Sequence, residues 1–547
     1  MKKILKVNAN DDMIVALADL APGEEIVWEN ESYTIQDKIP AKHKFATKDF
    51  GTNDLLKMYG VIVGKATQPI KRGALISTQN LKHASAEYHE KTTNYQWQAP
   101  FSVAKFANRT FNGYHRADGR VGTANHWLFI PTVFCENRNL DVIREALHNA
   151  LGYNVAEKYK AKTQKLVDLY KSGINPATAN MQLMEEDLHT TQLFPNVDGI
   201  KFLNHQGGCG GTRQDSETLS QLLAAYADHP NVAGVTVLSL GCQHLQIEHL
   251  KKDIYKRNPN FNKPLLCFEQ QQSQSEEHLL SDAIQQTFLG LIEINKYQRL
   301  PAPLSQLTLG VKCGGSDGFS GISANPAVGY ASDILVGLGG KVLLAEFPEL
   351  NGVEQELVDR CVDSIAADKF IHLMRSYSAQ AQAVGSGFDM NPSPGNIKDG
   401  LITDAIKSAG AAKKGGTAPV ADVLDYTEPA IKSGLNLVCT PGNDVEATTG
   451  KAAAGATLIL FTTGLGTPTG NPVCPVIKVA TNTALAERMA DIIDIDTGAI
   501  IRGECGIEEM GEQILEYCIA VASGEIKPKS VILGQDDFIP WKRGVSL

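Results

Sequence analysis

Short apolar runs separated by turn residues dominate the first part of the chain. Two of the breaks are Pro22-Gly23 and Lys71-Arg72-Gly73, and glycine and proline favour turns where strands end. This pattern predicts a small β module over residues 1–90 that folds apart from the rest of the chain. The polar stretch 82–100 lacks periodicity and is typical of a linker. The runs that predict strands are residues 13–17, 25–28 and 61–63.

From residue 101 onward, apolar strands alternate with helical stretches. Strand, loop and helix in repeated order predict a parallel sheet, first in an α/β domain over residues 101–297. A proline-marked break at 300–303 precedes a second such series, which predicts another α/β domain over 304–547. The expected fold class is α/β, with a small N-terminal β module followed by two α/β domains with mainly parallel sheets. Strands of the first series are expected at 127–133, 199–203 and 233–240.

The size, charge and cysteine content of the chain limit the classes of protein to which it can belong. At 547 residues the chain is too long for one hydrophobic core. A net charge of −10 argues against a nucleic-acid partner, because phosphate binding needs a clustered positive field. Ten cysteines without dense spacing fit reduced thiols, and the first residues lack an apolar export segment, so a cytoplasmic location is expected. The longest apolar stretch, residues 452–463, is too short to cross a membrane.

Three cysteines that lie far apart in the chain are each flanked by glycine: Cys209, Cys242 and Cys313. The first two follow predicted strands of the second domain, and the third ends a predicted strand of the third domain. Ligands of α/β sheets bind at the carboxyl ends of the strands. We therefore expect the three thiolates to share an iron site at a domain interface, with one position open for Lewis-acid chemistry on a hydroxyl group. The ordinary alternative is that each is a small buried residue.

Two glycine-rich loops follow apolar strands, at residues 314–321 and 461–470. Backbone N–H groups in such loops can bind a carboxylate, and their hydroxyl side chains suit a polyhydroxylated acid. The alternative is a plain connection between a strand and a helix. The residues expected to bind substrate are Gly314, Gly315, Ser316, Asp317, Thr463, Gly464 and Thr467.

Several side chains are candidates for proton transfer. His43 lies in the β module, so it can act only if that module closes over the pocket. His205 lies close in sequence to a candidate metal ligand, whereas His244 is the weakest of the three histidines. Lys407 and Glu346 are candidates for a base or for a group that supports one. The ordinary alternatives are solvated histidines and surface charges.

With these loops identified, the chain resembles the altronate dehydratase family, relatives of galactarate dehydratase, over nearly its whole length. Residues 13–20, 43–46 and 59–60 resemble the family's N-terminal β-clip module of the SAF type. So many ordered blocks are unexpected by chance. The blocks that resemble the family's core are residues 117–125, 229–234, 240–242, 313–318, 323–326, 391–396 and 479–482.

The resemblance implies an iron-dependent hydro-lyase that removes water from a sugar acid, with D-altronate becoming 2-dehydro-3-deoxy-D-gluconate. It implies iron as Fe2+ or as a [4Fe-4S] cluster, with Mn2+ as a substitute. Residues 441–444 and 464–468 are closer to the altronate branch than to the galactarate branch. Gln243 stands where the family often has Glu, and Leu465 where an Arg is usual. The second difference favours keeping a related aldonate or aldarate as an alternative substrate.

The expected reaction is a β-elimination. A base removes the proton on C2, next to the carboxylate, and the C3 hydroxyl leaves as water. His43 is the first choice of acid or base, on the hypothesis that the N-terminal module acts as a lid, and His205 is the second. Two other functions stay open: a non-catalytic sugar-acid binding protein, and a lyase that expels sulfite from a sulfonated hydroxy acid. The expected partner is a small sugar acid, and the sequence leaves room for a homo-oligomer.

Overall fold

The computed structural model describes residues 3–155, 157–178, 180 and 191–544. The outer ends of the first and third predicted domains, residues 1–2 and 545–547, lie outside this part. The described residues form an N-terminal β module and two α/β domains. No described helix is long and apolar enough to span a bilayer.

The N-terminal module contains only short antiparallel strands. Their order in the three small sheets is β1-β2-β5-β8, β3-β4 and β6-β7-β9. Gly73 shows why glycine marks these turns: its φ is +80°, and a Cβ there would lie 2.2 Å from the carbonyl oxygen of Thr34. The strands are β1 Ile4–Leu5, β2 Met13–Ala16, β3 Glu25–Trp28, β4 Glu31–Thr34, β5 Lys44–Ala46, β6 Leu55–Met58, β7 Val61–Ala66, β8 Leu75–Ile76 and β9 Leu81–Lys82.

The second part is built on a four-stranded parallel sheet in the order β13-β12-β14-β15. Trp127 is fully buried at its centre and donates its Nε1–H to Thr236 Oγ1 over 2.9 Å. Gly234 and Gly290 make room for the indole, because a Cβ on either would lie within 2.4 Å of the ring. The elements are α1 Val103–Phe106, β10 Thr110–His115, β11 Val121–Gly122, β12 His126–Pro131, α2 Asn137–Leu151, α3 Glu157–Lys171, β13 Gly199–Phe202, α4 Arg213–Asp228, β14 Val232–Ser239, α5 Ile247–Arg257, β15 Leu265–Glu269, α6 Glu276–Ile294 and β16 Leu300–Pro303, which pairs with β10.

The third part is a seven-stranded parallel sheet with helices packed against it. The order is β19-β20-β18-β17-β21-β22-β23, so β18, β19 and β20 lie on one side of β17, and the chain then returns to add β21, β22 and β23 on the other side. The elements are β17 Thr308–Cys313, α7 Ala324–Gly337, β18 Lys341–Ala345, α8 Glu354–Arg360, α9 Ser364–Ala383, α10 Pro394–Lys398, α11 Asp404–Ala412, β19 Val420–Leu424, β20 Gly434–Val438, α12 Asp444–Ala453, β21 Leu458–Thr463, β22 Val476–Ala480, α13 Thr483–Arg488, β23 Ile495–Asp496, α14 Gly498–Arg502, α15 Ile507–Ala522 and α16 Lys529–Ile532.

The three parts are packed together more closely than the sequence suggests. One hydrophobic core extends from the β17 sheet into the N-terminal module and includes Met58 and Tyr59. The module therefore packs against the third part, whereas the sequence pattern predicted that it would stand apart from the rest of the chain. The predicted linker has no helix, but Trp97 Nε1 donates to Thr417 Oγ1 over 3.1 Å. The fold class predicted from the sequence is confirmed.

Candidate functional site

The order of the seven strands creates a crevice beside β17. The chain switches direction between β17 and β21, and in doubly wound sheets ligands bind at such a point, beyond the carboxyl ends of the strands. Cys313 is the last residue of β17 and pairs in register with Thr462 of β21. The loops that leave β17, β18, β20 and β21 at this edge all contribute side chains to the candidate site.

Buried charged side chains fill the base of this crevice, and we call them the lysine–carboxylate cluster. Water is excluded from most of them, so each charge needs an opposite charge close by. Lys312 alternates with apolar residues along β17, and its side chain is fully buried. The cluster consists of Lys312, Lys407, Lys414, Lys451, Glu346 and Glu349, with the thiol of Cys313 among them.

Glu346 is the centre of the cluster. It directly follows β18 and has left-handed backbone angles, φ 72° and ψ 59°, which are uncommon for a residue other than glycine. Its carboxylate contacts the ammonium group of Lys312 and lies 3.3 Å from Lys414 Nζ and 3.6 Å from Lys451 Nζ. Burial lowers the pKa of Lys451 to about 8. The strained backbone thus places one carboxylate among three buried lysines.

Glu349 joins the thiol to the edge of the crevice. Its Oε2 lies 3.7 Å from Cys313 Sγ, and its Oε1 accepts from Lys407 Nζ over 2.8 Å. Lys407 also donates to Asn391 Oδ1 over 3.0 Å. Burial alone would raise the pKa of Glu349, but Lys407 and the other ammonium groups outweigh it and hold that pKa well below its usual range. Burial of Lys407 alone would lower the pKa of this lysine, but the Glu349 carboxylate outweighs that effect and raises it. Lys407 is therefore a cation at neutral pH.

Among the described residues, one group of three metal-type donors lies within 4.8 Å of one another: Cys313, Glu346 and Glu349. This group does not fit a resident cation. Both carboxylates are already paired with lysines, and Lys414 Nζ lies 3.2 Å from Cys313 Sγ. Burial raises the pKa of the Cys313 thiol, and the Lys414 ammonium opposes that shift.

The three cysteines expected to share iron do not form such a group. Cys209 and Cys242 are exposed on loops of the second part, whereas Cys313 is buried. Gln271 Nε2 donates to Cys242 Sγ over 3.3 Å. A single iron ion bound to all three sulfurs would need them in mutual contact, and they are not within 4.8 Å of one another. This structure therefore does not bring the three sulfurs together around one ion, and the shared iron site stays a prediction from the sequence.

The two glycine-rich loops do meet, as their pairing across β17 and β21 requires. Gly464 and Leu465 both donate their N–H groups to the carbonyl oxygen of Gly315, over 3.0 and 2.9 Å. A Cβ on Gly315 would lie 2.9 Å from Thr467 Oγ1 and 3.2 Å from Thr463 Oγ1, so both threonine hydroxyls face this residue. The loops therefore place the predicted hydroxyl groups on one wall of the crevice.

Most of the expected carboxylate donors in the first loop are used inside the protein. The N–H groups of Gly314 and Gly318 donate to the carbonyl oxygens of Thr462 and Asp399. Asp317 Oδ1 accepts from Ser320, and its Oδ2 accepts from Thr481. These contacts give the predicted substrate ligands Gly314 and Asp317 a role in shaping the loop.

Ser316 differs from its neighbours in this loop. It is 3% exposed, and its Oγ has no hydrogen-bond partner among the described residues. A buried hydroxyl group without a partner is uncommon in a folded protein, because it has lost its contacts with water. Ser316 is therefore the predicted substrate-binding residue of this loop that keeps a hydrogen-bonding group for a ligand.

The N-terminal module closes one side of the crevice. Lys42 Nζ lies 3.0 Å from Asp317 Oδ2 and 2.9 Å from Asp399 Oδ1. Lys44, on β5, is fully buried and donates to the carbonyl oxygen of Gly400 over 2.5 Å. Tyr59 lies against Gly321, where a Cβ would be 2.2 Å from its hydroxyl oxygen. Ion pairs and apolar contacts together fix the module in this position.

His43 lies between Lys42 and Lys44 in this interface. Its Nε2–H donates to the carbonyl oxygen of Lys398 over 3.1 Å, because a carbonyl oxygen can only accept. In the neutral ring this leaves a lone pair on Nδ1, which is buried without a hydrogen-bond partner among the described residues. Burial lowers the pKa of His43, so the neutral form predominates at neutral pH. These properties suit a general base.

The second predicted histidine has a different role. His205 Nε2–H donates to the carbonyl oxygen of Pro131 over 2.8 Å, and its Nδ1 accepts the N–H of Gly207 over 3.0 Å. Burial lowers its pKa to about 4. With both nitrogens bound to backbone, His205 orders the loop that carries Cys209 and has no lone pair left to remove a proton. Lys407 likewise is a cation and not a base.

A cleft of about 660 Å³ lies between the second and third parts. Its walls include the loop 205–211 and the segment 243–245, which flank two of the expected cysteine ligands. Glu446, from the first turn of α12, faces the same cleft, and Asp444 in that turn pairs with Lys312 over 2.9 Å. The cleft and the lysine–carboxylate cluster are therefore connected through one helix end.

Several residues of the site escaped the sequence interpretation. For two of the lysines, the sequence did carry a signal: each lies in or beside an apolar stretch. A lysine at such a position is expected to be buried and therefore to need a charged partner nearby. Lys312 interrupts the apolar run of β17, and Lys451 precedes the run 452–461. Glu349 had no comparable signal, because its partners come from other elements. The residues missed are Lys42, Lys44, Lys312, Glu349, Lys414, Asp444 and Lys451.

These features define the class of the protein: a three-part α/β enzyme with a buried charged site at the switch point of its third part. Residues 2–84 match the altronate/galactarate dehydratase SAF domain, and residues 113–295 match the domain described as D-galactarate dehydratase/altronate hydrolase, second domain. Residues 304–546 match the D-galactarate/altronate dehydratase C-terminal domain. The chain belongs to the altronate/galactarate dehydratase family and is a hydro-lyase.

Three curated relatives cover nearly the whole chain. Altronate dehydratase of Bacillus subtilis (strain 168) is 33% identical and covers 96% of each chain. Altronate dehydratase of Escherichia coli (strain K12) is 32% identical and covers 99% of each. Galactarate dehydratase (L-threo-forming) of the same organism is 31% identical and covers 96% of this chain and 93% of its own. The resemblance to the family is confirmed.

Proposed function

We propose that this hydro-lyase dehydrates a sugar acid, with D-altronate as substrate and 2-dehydro-3-deoxy-D-gluconate as product. One observation carries the proposal: a neutral imidazole with a free nitrogen and a lysine cation contact the same short segment at the switch point. His43 donates to the carbonyl oxygen of Lys398, and Lys407 donates to Asn391. The similarity of the chain to the two altronate dehydratases named above supports altronate as the sugar acid.

The chain's own residues can divide the elimination between them. The proton on C2 is weakly acidic, so its removal needs a base and a cation near the developing enediolate charge. We assign the base to Nδ1 of His43 and the cation to the ammonium group of Lys407. Protonated His43 can then return the proton to the departing C3 hydroxyl, which leaves as water. Ser316, Thr463 and Thr467 supply hydroxyl groups for the substrate.

Iron remains a prediction from the resemblance, as Fe2+ or a [4Fe-4S] cluster, with Mn2+ as a substitute. When bound, it would supply Lewis-acid assistance to the loss of hydroxide. Cys209 and Cys242 are the exposed members of the expected ligand set. The cytoplasmic location and a homo-oligomeric state are also predictions.

Galactarate is the second candidate substrate. Leu465 stands at the position where the family usually has an arginine. Another arginine reaches the same loop, because Arg488 Nη2 donates to the carbonyl oxygen of Leu465 over 3.4 Å. An exposed guanidinium group at that loop suits a second carboxylate, which an aldarate has and an aldonate lacks. The galactarate dehydratase relative supports the same alternative.

A panel of sugar acids tests the substrate. The protein is assayed under reducing, iron-replete conditions with D-altronate, galactarate and other aldonates, and the 2-keto-3-deoxy product is quantified. We expect the highest kcat/KM with D-altronate. The highest value with galactarate would select the second candidate. Binding of a sugar acid without any product would contradict the proposal and favour a non-catalytic binding protein.

A further inference from the structure

A second polar cavity lies in the second part, at the edge where β12 and β14 begin. Its volume is about 300 Å³. It is formed by two sequence blocks that the dehydration site does not use, residues 117–125 and 229–234, together with the loop after α5. The lining residues used below are Arg116, Asp118, Lys263 and Tyr297.

Positive charge exceeds negative charge around this cavity. Arg120 contacts both Asp118 and Asp228, and Arg257 Nε lies 3.8 Å from Asp228 Oδ2. These two carboxylates are thus used by Arg120 and Arg257, and among the described residues Arg116 and Lys263, which line the cavity, have no ion-pair partner. Buried charge without a counterion is unfavourable.

Lys263 is a half-buried lysine in the wall of the cavity. Its Nζ donates to the carbonyl oxygens of Ala227 and His229 over 3.1 and 2.7 Å. Among the described residues these contacts use two of its three protons, and no carboxylate contacts it. Burial lowers the pKa of Lys263 well below its ordinary value. A bound anion would restore the charged form, because an opposite charge favours it.

Arg116 offers further donors on the same side. Its guanidinium group donates to the carbonyl oxygens of Pro230 and Ala124 and to Asn125 Oδ1, over 2.7 to 3.1 Å. Contacts with the described residues thus use three of its five N–H groups. The ring of Tyr297 lies 5.6 Å from Arg116 Cζ and forms part of the wall. The cavity therefore combines free cationic donors with an apolar side.

We propose that this cavity binds a small oxyanion, a hydroxycarboxylate or inorganic phosphate, through Lys263 and Arg116. The site is separate from the one proposed for dehydration. β14 runs through eight residues from this edge to the loop that carries Cys242, which separates the two ends of the strand by about 25 Å. Occupancy stabilises the second part and does not depend on the substrate assignment made above.

Thermal unfolding of the full chain tests the proposal. Tm is measured against increasing inorganic phosphate, with ionic strength held constant by chloride, and separately against the 2-keto-3-deoxy acid product. We expect a saturable rise of about 2 °C at saturation, given the size of the chain. In Lys263→Met the apparent Kd should be at least about tenfold weaker, because the main cationic donor is lost. The two ligands distinguish a phosphate site from a carboxylate site.

The matched control is Lys256→Met, which removes an exposed lysine from the last turn of α5. It should respond to both ligands as the wild-type protein does. Either of two results would overturn the proposal: no saturable rise with either ligand, or an equal rise in Lys263→Met. The second result would mean that the anion binds elsewhere, for example near Lys407. Neither result bears on the proposed dehydration, because that proposal is tested by product formation and not by Tm. If Lys263→Met does not fold, the milder Lys263→Gln gives the same comparison.

Discussion

Lys42 Nζ of the N-terminal module lies 3.0 Å from Asp317 Oδ2 in the loop after β17. Asp317 is fully buried, and 20% of the Lys42 side chain is exposed. The pair therefore connects two parts of the chain that are more than 270 residues apart in sequence. Because His43 is the next residue, this contact also positions the proposed base. The module is docked against the site in this structure, and its action as a lid stays a prediction.

Loss of the Lys42 charge should loosen the module. Lys42→Met leaves Asp317 without its cation, and we expect unfolding of the docked module to become easier by about 1–3 kcal/mol, less than for a fully buried pair. Limited proteolysis within residues 82–100 measures this as faster cleavage. Lys48→Met is the control, since Lys48 is 64% exposed and its pair with Asp12 stays within the module. Equal cleavage of both variants would contradict the prediction.

The proposed base predicts a specific pH profile. His43 must be neutral to accept a proton, and burial lowers its pKa from 6.5. The acid limb of kcat/KM should therefore lie below pH 6.5, with activity constant above it until another group titrates. His43→Gln should reduce kcat by about 10²- to 10⁴-fold.

His278→Gln is the matched control for His43, because His278 is exposed on α6 and its ring pairs, within the described part of the chain, only with Asp282 of the same helix. It should leave kcat and the pH profile unchanged. An unchanged rate in His43→Gln, with iron content held equal, would remove His43 from the mechanism.

Lys407 and Glu349 allow activity to be separated from stability. Lys407→Met leaves a buried carboxylate unpaired, so we expect Tm to fall and kcat/KM to drop more than about 100-fold. In the double variant Lys407→Met, Glu349→Gln the unpaired charge is gone, and Tm should largely recover. Activity should remain low, because the cation is still missing. Recovery of activity in the double variant would show that Lys407 serves only to neutralise Glu349.

Iron ligation is tested by replacing each cysteine. Anaerobic purification and iron and sulfide analysis are applied to Cys209→Ser, Cys242→Ser and Cys313→Ser. We expect each variant to lose most of its iron if the three thiolates share one site. Cys135→Ser is the control, since Cys135 is also exposed but lies outside the expected ligand set. Full iron content in all three variants would refute shared ligation.

The sequence predicted the architecture because local patterns determine it. Apolar runs and glycine-marked turns identified the parallel strands, and Cys313 could be placed at a strand end for the same reason. The lysine–carboxylate cluster depends on strand order, which brings Glu346 beside Lys312 and Lys414. Periodicity carries no information on that order. His205 was a candidate base because its two hydrogen bonds to backbone cannot be seen in a sequence.

Lys44 gives a prediction about stability alone. Burial lowers its pKa to about 7 from an ordinary 10.5, and the Asp317 carboxylate opposes that shift. Between these two values the unfolded chain holds a proton on Lys44 that the folded protein lacks. Folding therefore releases a proton, and the contribution of Lys44 to stability rises with pH, by up to about 1.4 kcal/mol per pH unit.

Comparison with Lys44→Met isolates this contribution, because other titrating groups are common to both proteins. We expect the Tm of the wild-type protein, relative to the variant, to increase by about 1 °C per pH unit between about pH 7.5 and about pH 9.5. Lys57→Met is the control: Lys57 is exposed on β6, and its Tm difference from wild type should not change with pH. A pH-independent difference for Lys44→Met would mean that Lys44 stays charged in the folded interface, held by the carbonyl oxygens of Lys42 and Gly400.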